Sequence, residues 1–217
     1  MEKYPRLNNY PNIHRRYKTF DNFDWNNSIV VLGCSMVYGQ GLTNEQTVAH
    51  QLELKLNIPC INLGVQGASP MYIWSELTDI LDLGIKPKAI VVVWSDPSRF
   101  IEYLGTDVKN YTVTSAELPT ATTIAKEWIA HEHQGFEFAK RAIISSRVMC
   151  KDIPYFDYAW FHNKQLDLFN LSIYTCDSST DRSHPGPLSY EKWAEHIAND
   201  IRCHNETKEL INDDEQL

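Results

Sequence analysis

Three short, almost unbroken apolar runs constrain the fold of this chain more than any other feature: residues 29–32 (IVVL), 60–63 (CINL) and 89–94 (AIVVVW). Short runs rich in β-branched side chains and bounded by Gly or Pro have the pattern of strands buried on both faces. Between them the apolar spacing turns helical. Val48, Leu52 and Leu56 fall on one face of one segment, and Ile73, Leu77, Ile80 and Leu81 on one face of the next. An order of strand, helix, strand, helix, strand with short connections calls for right-handed crossovers. The sheet is therefore expected to be parallel and covered on both sides.

Punctuation residues set the expected boundaries. Thr43-Asn44-Glu45-Gln46 has the form of a capping box and predicts a helix from Thr43 as N-cap to about Asn57. Ser69 and Pro70 suit the N-cap and first position of the next helix, and Gly84 its left-handed end. Residues 103–119 read as a long loop or small hairpin, and helices are expected over 122–133 and 136–150. Residues 154–163 read as aromatic and irregular, and 168–176 as a further strand. Ser189 is expected to cap a last helix with Trp193, Ile197 and Ile201 on one face, before an acidic tail that frays. Residues 1–27 read as an irregular arm packed on the sheet through Tyr4, Tyr10, Tyr17, Phe20, Phe23 and Trp25. The expected organisation is thus an arm (1–27), one α/β domain (28–206) and an acidic tail (207–217).

Composition excludes several classes of function. A chain of 217 residues can bury a sizeable core without metal or disulfide staples. A net charge of −8 argues against a nucleic-acid surface, and the basic cluster His14-Arg15-Arg16 is too short to reverse that. No apolar leader or window of membrane-spanning length is visible, so a soluble cytoplasmic protein with no membrane partner is expected. Five cysteines without a CxxC suggest reduced, mostly buried thiols rather than a zinc knuckle or a disulfide framework. His131-Glu132-His133 has a spacing that a helix splays to different faces, which disfavours a metal site. Neither GxGxxG nor GxxxxGK[ST] is present. No metal or organic cofactor is expected.

The residues that carry chemistry sit at the ends of the apolar runs. Ser35 lies just past the first, in a stretch with Gly33, Gly39 and Gly41, at the edge of an open α/β sheet where ligands bind. It is the candidate nucleophile. Between the fourth strand candidate and the last helix runs Asp181-Arg182-Ser183-His184-Pro185-Gly186-Pro187. Pro185 forces His184 into an extended conformation. A carboxylate three residues earlier can then accept the imidazole Nδ1–H and leave Nε2 free to take a proton from a serine. Gly67, after the second strand, lets backbone approach a ligand closely, and its N–H with that of Ser35 can form an oxyanion hole. Ser95, after the third strand, can add a hydroxyl to the same site or cap a local turn.

These blocks in this order resemble the SGNH (GDSL-type) serine hydrolases. GCSMVYGQGL matches the nucleophile block, with Cys34 in place of the Asp of GDS; NLGVQGAS matches the glycine block through Gly67; DRSHPG matches the C-terminal DxxH block. The third block departs from the family: Val93-Trp94-Ser95-Asp96 stands where GxND is expected, so Ser95 occupies the place of an asparagine. The form GCS-x-x-YG-x-GL is also similar to SGNH-type proteins of tailed phages, which brings in virion association. The resemblance runs from about Ser28 to Arg202. It implies a three-layer α/β/α sandwich, flavodoxin-like, with a short parallel sheet. It implies hydrolysis of a small-molecule or carbohydrate ester, O-acetyl groups included, through an acyl-enzyme. Ser35, His184 and Asp181 would form the triad, and Ser35, Gly67 and Ser95 the oxyanion site. Two alternatives stay open on the same scaffold: transfer of the acyl group to another hydroxyl, and a binding or virion-associated module without activity. Oligomeric state is not legible.

Overall fold

A computed structural model describes residues 15–16, 22–104, 107–111, 122–159 and 175–214. The three apolar runs form strands β1 (Ile29–Gly33), β2 (Cys60–Gly64) and β3 (Ala89–Trp94), and every residue in them is buried. Between the first two lie a single helical turn, α1 (Ser35–Tyr38), and helix α2 (Val48–Leu56). Helix α3 (Pro70–Asp82) joins β2 to β3. A hairpin of β4 (Phe100–Leu104) and β5 (Asp107–Tyr111) follows, then helices α4 (Thr123–Ala130) and α5 (Glu132–Met149). Strand β6 (Tyr155–Ala159) and the long helix α6 (Pro187–Asp214) complete the described chain.

The sheet order is β2-β1-β3-β6, all parallel. From β1 the chain crosses to one side, then returns past β1 to β3 on the other. With right-handed crossovers this puts α2 and α3 on opposite faces, the arrangement of a doubly wound, flavodoxin-like sheet. Helix α6 packs on α2 and helix α5 on α3, which completes a three-layer α/β/α sandwich. Its topological switch point lies between the carboxyl ends of β1 and β3, the place where open α/β sheets generally bind ligands.

Several expected boundaries move, each for a local reason. Thr43 opens only a 3₁₀ turn (Asn44–Gln46), with the Gln46 side chain accepting from the Thr43 N–H at 3.1 Å. Thr47 then caps the α-helix itself, its hydroxyl accepting from the His50 N–H. Ser69 and Pro70 open α3 as expected, and Gly84 takes a left-handed φ of 71° just past its end. The stretch expected to be irregular contains β6, which holds Asp157 against Arg147 by two hydrogen bonds of 2.9 and 3.0 Å. The last helix starts at Pro187 and continues to Asp214, and the end of the acidic tail, 215–217, lies outside the described residues. Ser189 is not its cap: Asp177 accepts from the Leu188 and Ser189 N–H groups and from the Ser189 hydroxyl. The strand expected at 168–176 lies outside the described residues except at its last two positions. So do Tyr4, Tyr10, Tyr17 and Phe20 of the arm. Trp25 is buried, edge-on to Phe23. All five cysteines are free, three of them buried.

Candidate active site

The turn that carries Ser35 is built on two glycines at strand ends. A Cβ on Gly64 would lie 2.1 Å from the Tyr38 nitrogen, and one on Gly33 2.4 Å from the Val37 side chain. Both contacts are far shorter than the 3.5–4.0 Å that non-bonded atoms prefer, so α1 can rest on the ends of β1 and β2 only because these residues lack side chains. Asn62 fastens the same junction. Its amide donates to the Val37 carbonyl (2.8 Å), and its Oδ1 accepts from the Gly64 N–H (2.9 Å). Ser35, the first residue of α1, is thereby fixed at the carboxyl edge of the sheet, only 4% exposed.

Strand register brings the other candidates to the same edge. Gly33 is paired with Gly64 on one side and Val93 on the other. Two residues beyond each of these stand Ser35, Gln66 and Ser95, so Ser95 leaves the sheet level with Ser35 and Gly67 follows one residue later. Gly67 has a φ of 74° in a turn closed by the Ala68 N–H on the Val65 carbonyl (3.2 Å), a conformation that selects glycine. Among the described residues, the N–H groups of Ser35 and Gly67 donate to no backbone carbonyl. The Ser95 side chain is fully buried, and its hydroxyl has no partner among the described residues.

The opposite wall is the loop before α6. His184 Nε2 lies 3.0 Å from Ser35 Oγ, and its Nδ1 lies 2.8 Å from Asp181 Oδ2. A carboxylate only accepts, so the ring proton belongs on Nδ1 and Nε2 faces the serine as acceptor. Residues 149 apart in sequence therefore form one continuous hydrogen-bonded chain. Asp181 is held by more than the imidazole. Its Oδ1 accepts from the Ser179 hydroxyl (2.6 Å), the Ser183 N–H (2.9 Å) and the His184 N–H (3.0 Å). Partial desolvation acts to raise the Asp181 carboxyl, but these four hydrogen bonds outweigh it and hold the group well below the usual carboxylate range.

The loop itself is shaped locally. Arg182 takes a left-handed φ of 57°, with its N–H donating to the Ser179 carbonyl (3.0 Å). Ser178 pairs with Pro185 as an isolated bridge. Sequence reasoning missed Ser179, Asn62 and Gly64, whose roles rest on contacts across the fold rather than on a motif. For Gly41 the signal was visible as a glycine in the nucleophile block. Its φ is 77°, and a Cβ there would lie 2.8 Å from Ser179 Oγ and 3.2 Å from Asp181 Cγ. His131 and His133 are exposed at the start of α5. Among the described residues no group of His, Cys, Asp or Glu is gathered to hold a metal ion, and no helix is long and apolar enough to cross a membrane.

No protein-family model matches the chain, and no curated protein matches it. Among solved structures it is similar to the acetyl xylan esterase Est2A from the rumen bacterium Butyrivibrio proteoclasticus. The identity is 12%, the TM-score 0.46, and the match covers 85% of this chain and 65% of that one. It is also similar to a Desulfitobacterium hafniense DCB-2 protein described as lipolytic and of the G-D-S-L family. Here the identity is 14%, the TM-score 0.41, and the match covers 80% of this chain and 99% of that one. With likenesses this distant, what the site can do follows from its own geometry.

Proposed function

We propose that the protein is a serine hydrolase of carboxylic esters, acting through an acyl-enzyme on Ser35. The observation that carries this reading is the unbroken chain from Ser35 Oγ to His184 (3.0 Å) and from His184 to Asp181 (2.8 Å). Distances in this range allow proton transfer without rearrangement. Ser35 Oγ attacks the ester carbonyl as its proton passes to His184 Nε2. Asp181, kept ionised by its hydrogen bonds, stabilises the imidazolium that forms. The tetrahedral oxyanion is held by the N–H groups of Ser35 and Gly67, with the Ser95 hydroxyl as third donor. Collapse breaks the bond to the alcohol, which leaves with the proton from His184. Water then repeats the sequence on the acyl-enzyme and releases the carboxylic acid.

The substrate class follows from the sequence resemblance: small esters, with O-acetylated carbohydrate the first to try. A fluorophosphonate probe is applied to wild type and to Ser35→Ala, followed by a panel of short-chain aryl esters and acetylated sugars. Wild type should be labelled on Ser35 and turn over acetyl esters, while Ser35→Ala should do neither. Because triad members act as a unit, His184→Ala should lose nearly as much. Folded wild type that takes no label, or Ser35→Ala that keeps full esterase activity, refutes the assignment.

A further inference from the structure

Of the basic cluster at residues 14–16, Arg16 is engaged at the site described above and Arg15 on helix α3 beside it. Arg16 donates through Nε to the Tyr38 carbonyl, and through one terminal nitrogen to the carbonyls of Gly39 (2.6 Å) and Leu42 (3.1 Å). Its guanidinium carbon also sits 4.9 Å from the centroid of the Tyr38 ring. One side chain thus collects three carbonyls of a single loop, the one that leaves the nucleophile turn. The far side of that loop rests on the acid's loop. Gly41 is packed so closely against Ser179 and Asp181 that a Cβ would lie within 3.2 Å of both, and the Thr180 hydroxyl donates to the Gly41 carbonyl (2.8 Å). Arg15 anchors the pair from behind: it forms an ion pair with Glu76 and donates to the Tyr72 hydroxyl (2.6 Å). Both partners lie buried on α3, the helix that Ser69 opens just after Gly67.

We propose that Arg16 is a positioning residue for the triad, pressing the loop of residues 38–42 against the Asp181 loop so that His184 stays within reach of Ser35. The proposal rests on the hydrolase reading of Ser35, His184 and Asp181. A planar fork with several donors suits three carbonyls; a lysine ammonium is a single point charge on a flexible stem and cannot reproduce that geometry. A displacement of about 1 Å in a reacting group can cost on the order of a hundredfold in rate. Loosening the loop therefore acts on the chemical step and not on substrate binding.

The test compares wild type, Arg16→Lys and Arg16→Met, with Lys55→Met as a control that breaks only the exposed Lys55–Glu195 pair. Thermal midpoint, kcat, KM and the rate of fluorophosphonate labelling of Ser35 are measured, and kcat is expressed per labelled site. Arg16→Met should lower kcat and the labelling rate in parallel by about ten- to a hundredfold with KM within twofold. Arg16→Lys should fall between it and wild type, and Lys55→Met should match wild type. A merely structural role would lower the midpoint and leave kcat per labelled site unchanged, and that result overturns the proposal. If Arg16→Met does not fold, Arg16→Lys decides: kcat within twofold of wild type overturns the proposal, and a larger loss at unchanged KM supports it. Wild type that cannot be labelled is a different outcome, because it removes the hydrolase reading itself.

Discussion

Replacing Gly41 by alanine separates the strain of a left-handed residue from the packing of the site. The φ of Gly41 is 77° and that of Gly84 is 71°, so an added Cβ costs about 1–2 kcal/mol of backbone strain at either position. At Gly84 nothing lies within 4 Å of the new carbon. At Gly41 it meets Ser179 Oγ at 2.8 Å and Asp181 Cγ at 3.2 Å. Relief to ordinary contact distance requires the Asp181 loop to move by roughly half an ångström. Ser179 cannot absorb the shift alone, because its hydroxyl is 2.6 Å from Asp181 Oδ1. If 1 Å is worth about a hundredfold, half of that is worth about tenfold. Differential scanning calorimetry and ester turnover then read two separate quantities. Both variants should lose about 2–8 °C in midpoint, taking 2–4 °C per kcal/mol for a chain of this size. Only Gly41→Ala should lose about tenfold in kcat. Gly41→Ala with a midpoint like that of Gly84→Ala and kcat within twofold of wild type would refute the claim that this glycine couples the nucleophile loop to the acid.

Two further outcomes follow from buried polar groups. The Ser95 hydroxyl is buried without a partner among the described residues, a situation that costs about 1–3 kcal/mol. Ser95→Ala should therefore raise the thermal midpoint while lowering kcat, and a kcat unchanged by the substitution removes Ser95 from the oxyanion site. Glu76 is pushed up to about 7 by complete burial, with Arg15 pulling it back and Asp79 adding to the rise. A folded value above the unfolded one, about 4.3, means that the folded chain binds the extra proton in between. The contribution is present below about pH 4 and is lost as pH rises towards 7, with a slope of at most about 1.4 kcal/mol per unit. Denaturant unfolding across this range should show Glu76→Gln gaining on wild type as pH rises; parallel curves would contradict the assignment.

The strands buried on both faces were legible because nothing but apolar character is needed to specify them. Strand β6 was not, since its central Asp157 and the following Tyr158 are accommodated by partners elsewhere. Arg147 on α5 pairs with the first, and Asp200 on α6 accepts from the second at 2.7 Å. A strand that carries its polar groups into tertiary contacts has no periodicity to read. The caps failed in a related way. Thr43 does satisfy a turn, but Thr47, four residues later, competes for the helix and wins. Asp177 reaches the start of α6 from across the loop, ahead of the serine that local pattern favours. The short motifs of the candidate site needed no periodicity to be read, and the fold brings Ser35, His184 and Asp181 into one hydrogen-bonded chain.

The two halves of the site are held by different physics, and that difference orders the effects of substitution. Ser35 is fixed by close packing. Gly33 and Gly64 admit α1 to the strand ends, and a side chain at Gly64 would strike backbone at 2.1 Å, which no rotamer can relieve. Damage there belongs to the fold. The half that carries Asp181 and His184 is a short loop whose shape comes from hydrogen bonds among Ser179, Asp181, Arg182 and His184, all within six residues. It has little apolar burial of its own, with the Asp181 and His184 side chains 27% and 15% exposed. A loop of this kind can hold the internal geometry of Asp181 and His184 and still drift as a unit relative to Ser35. What prevents the drift must be contacts between the halves, and the described ones run through Gly41, Thr180 and the His184–Ser35 bond itself. Substitutions at that seam should therefore separate rate from stability more cleanly than those in either half.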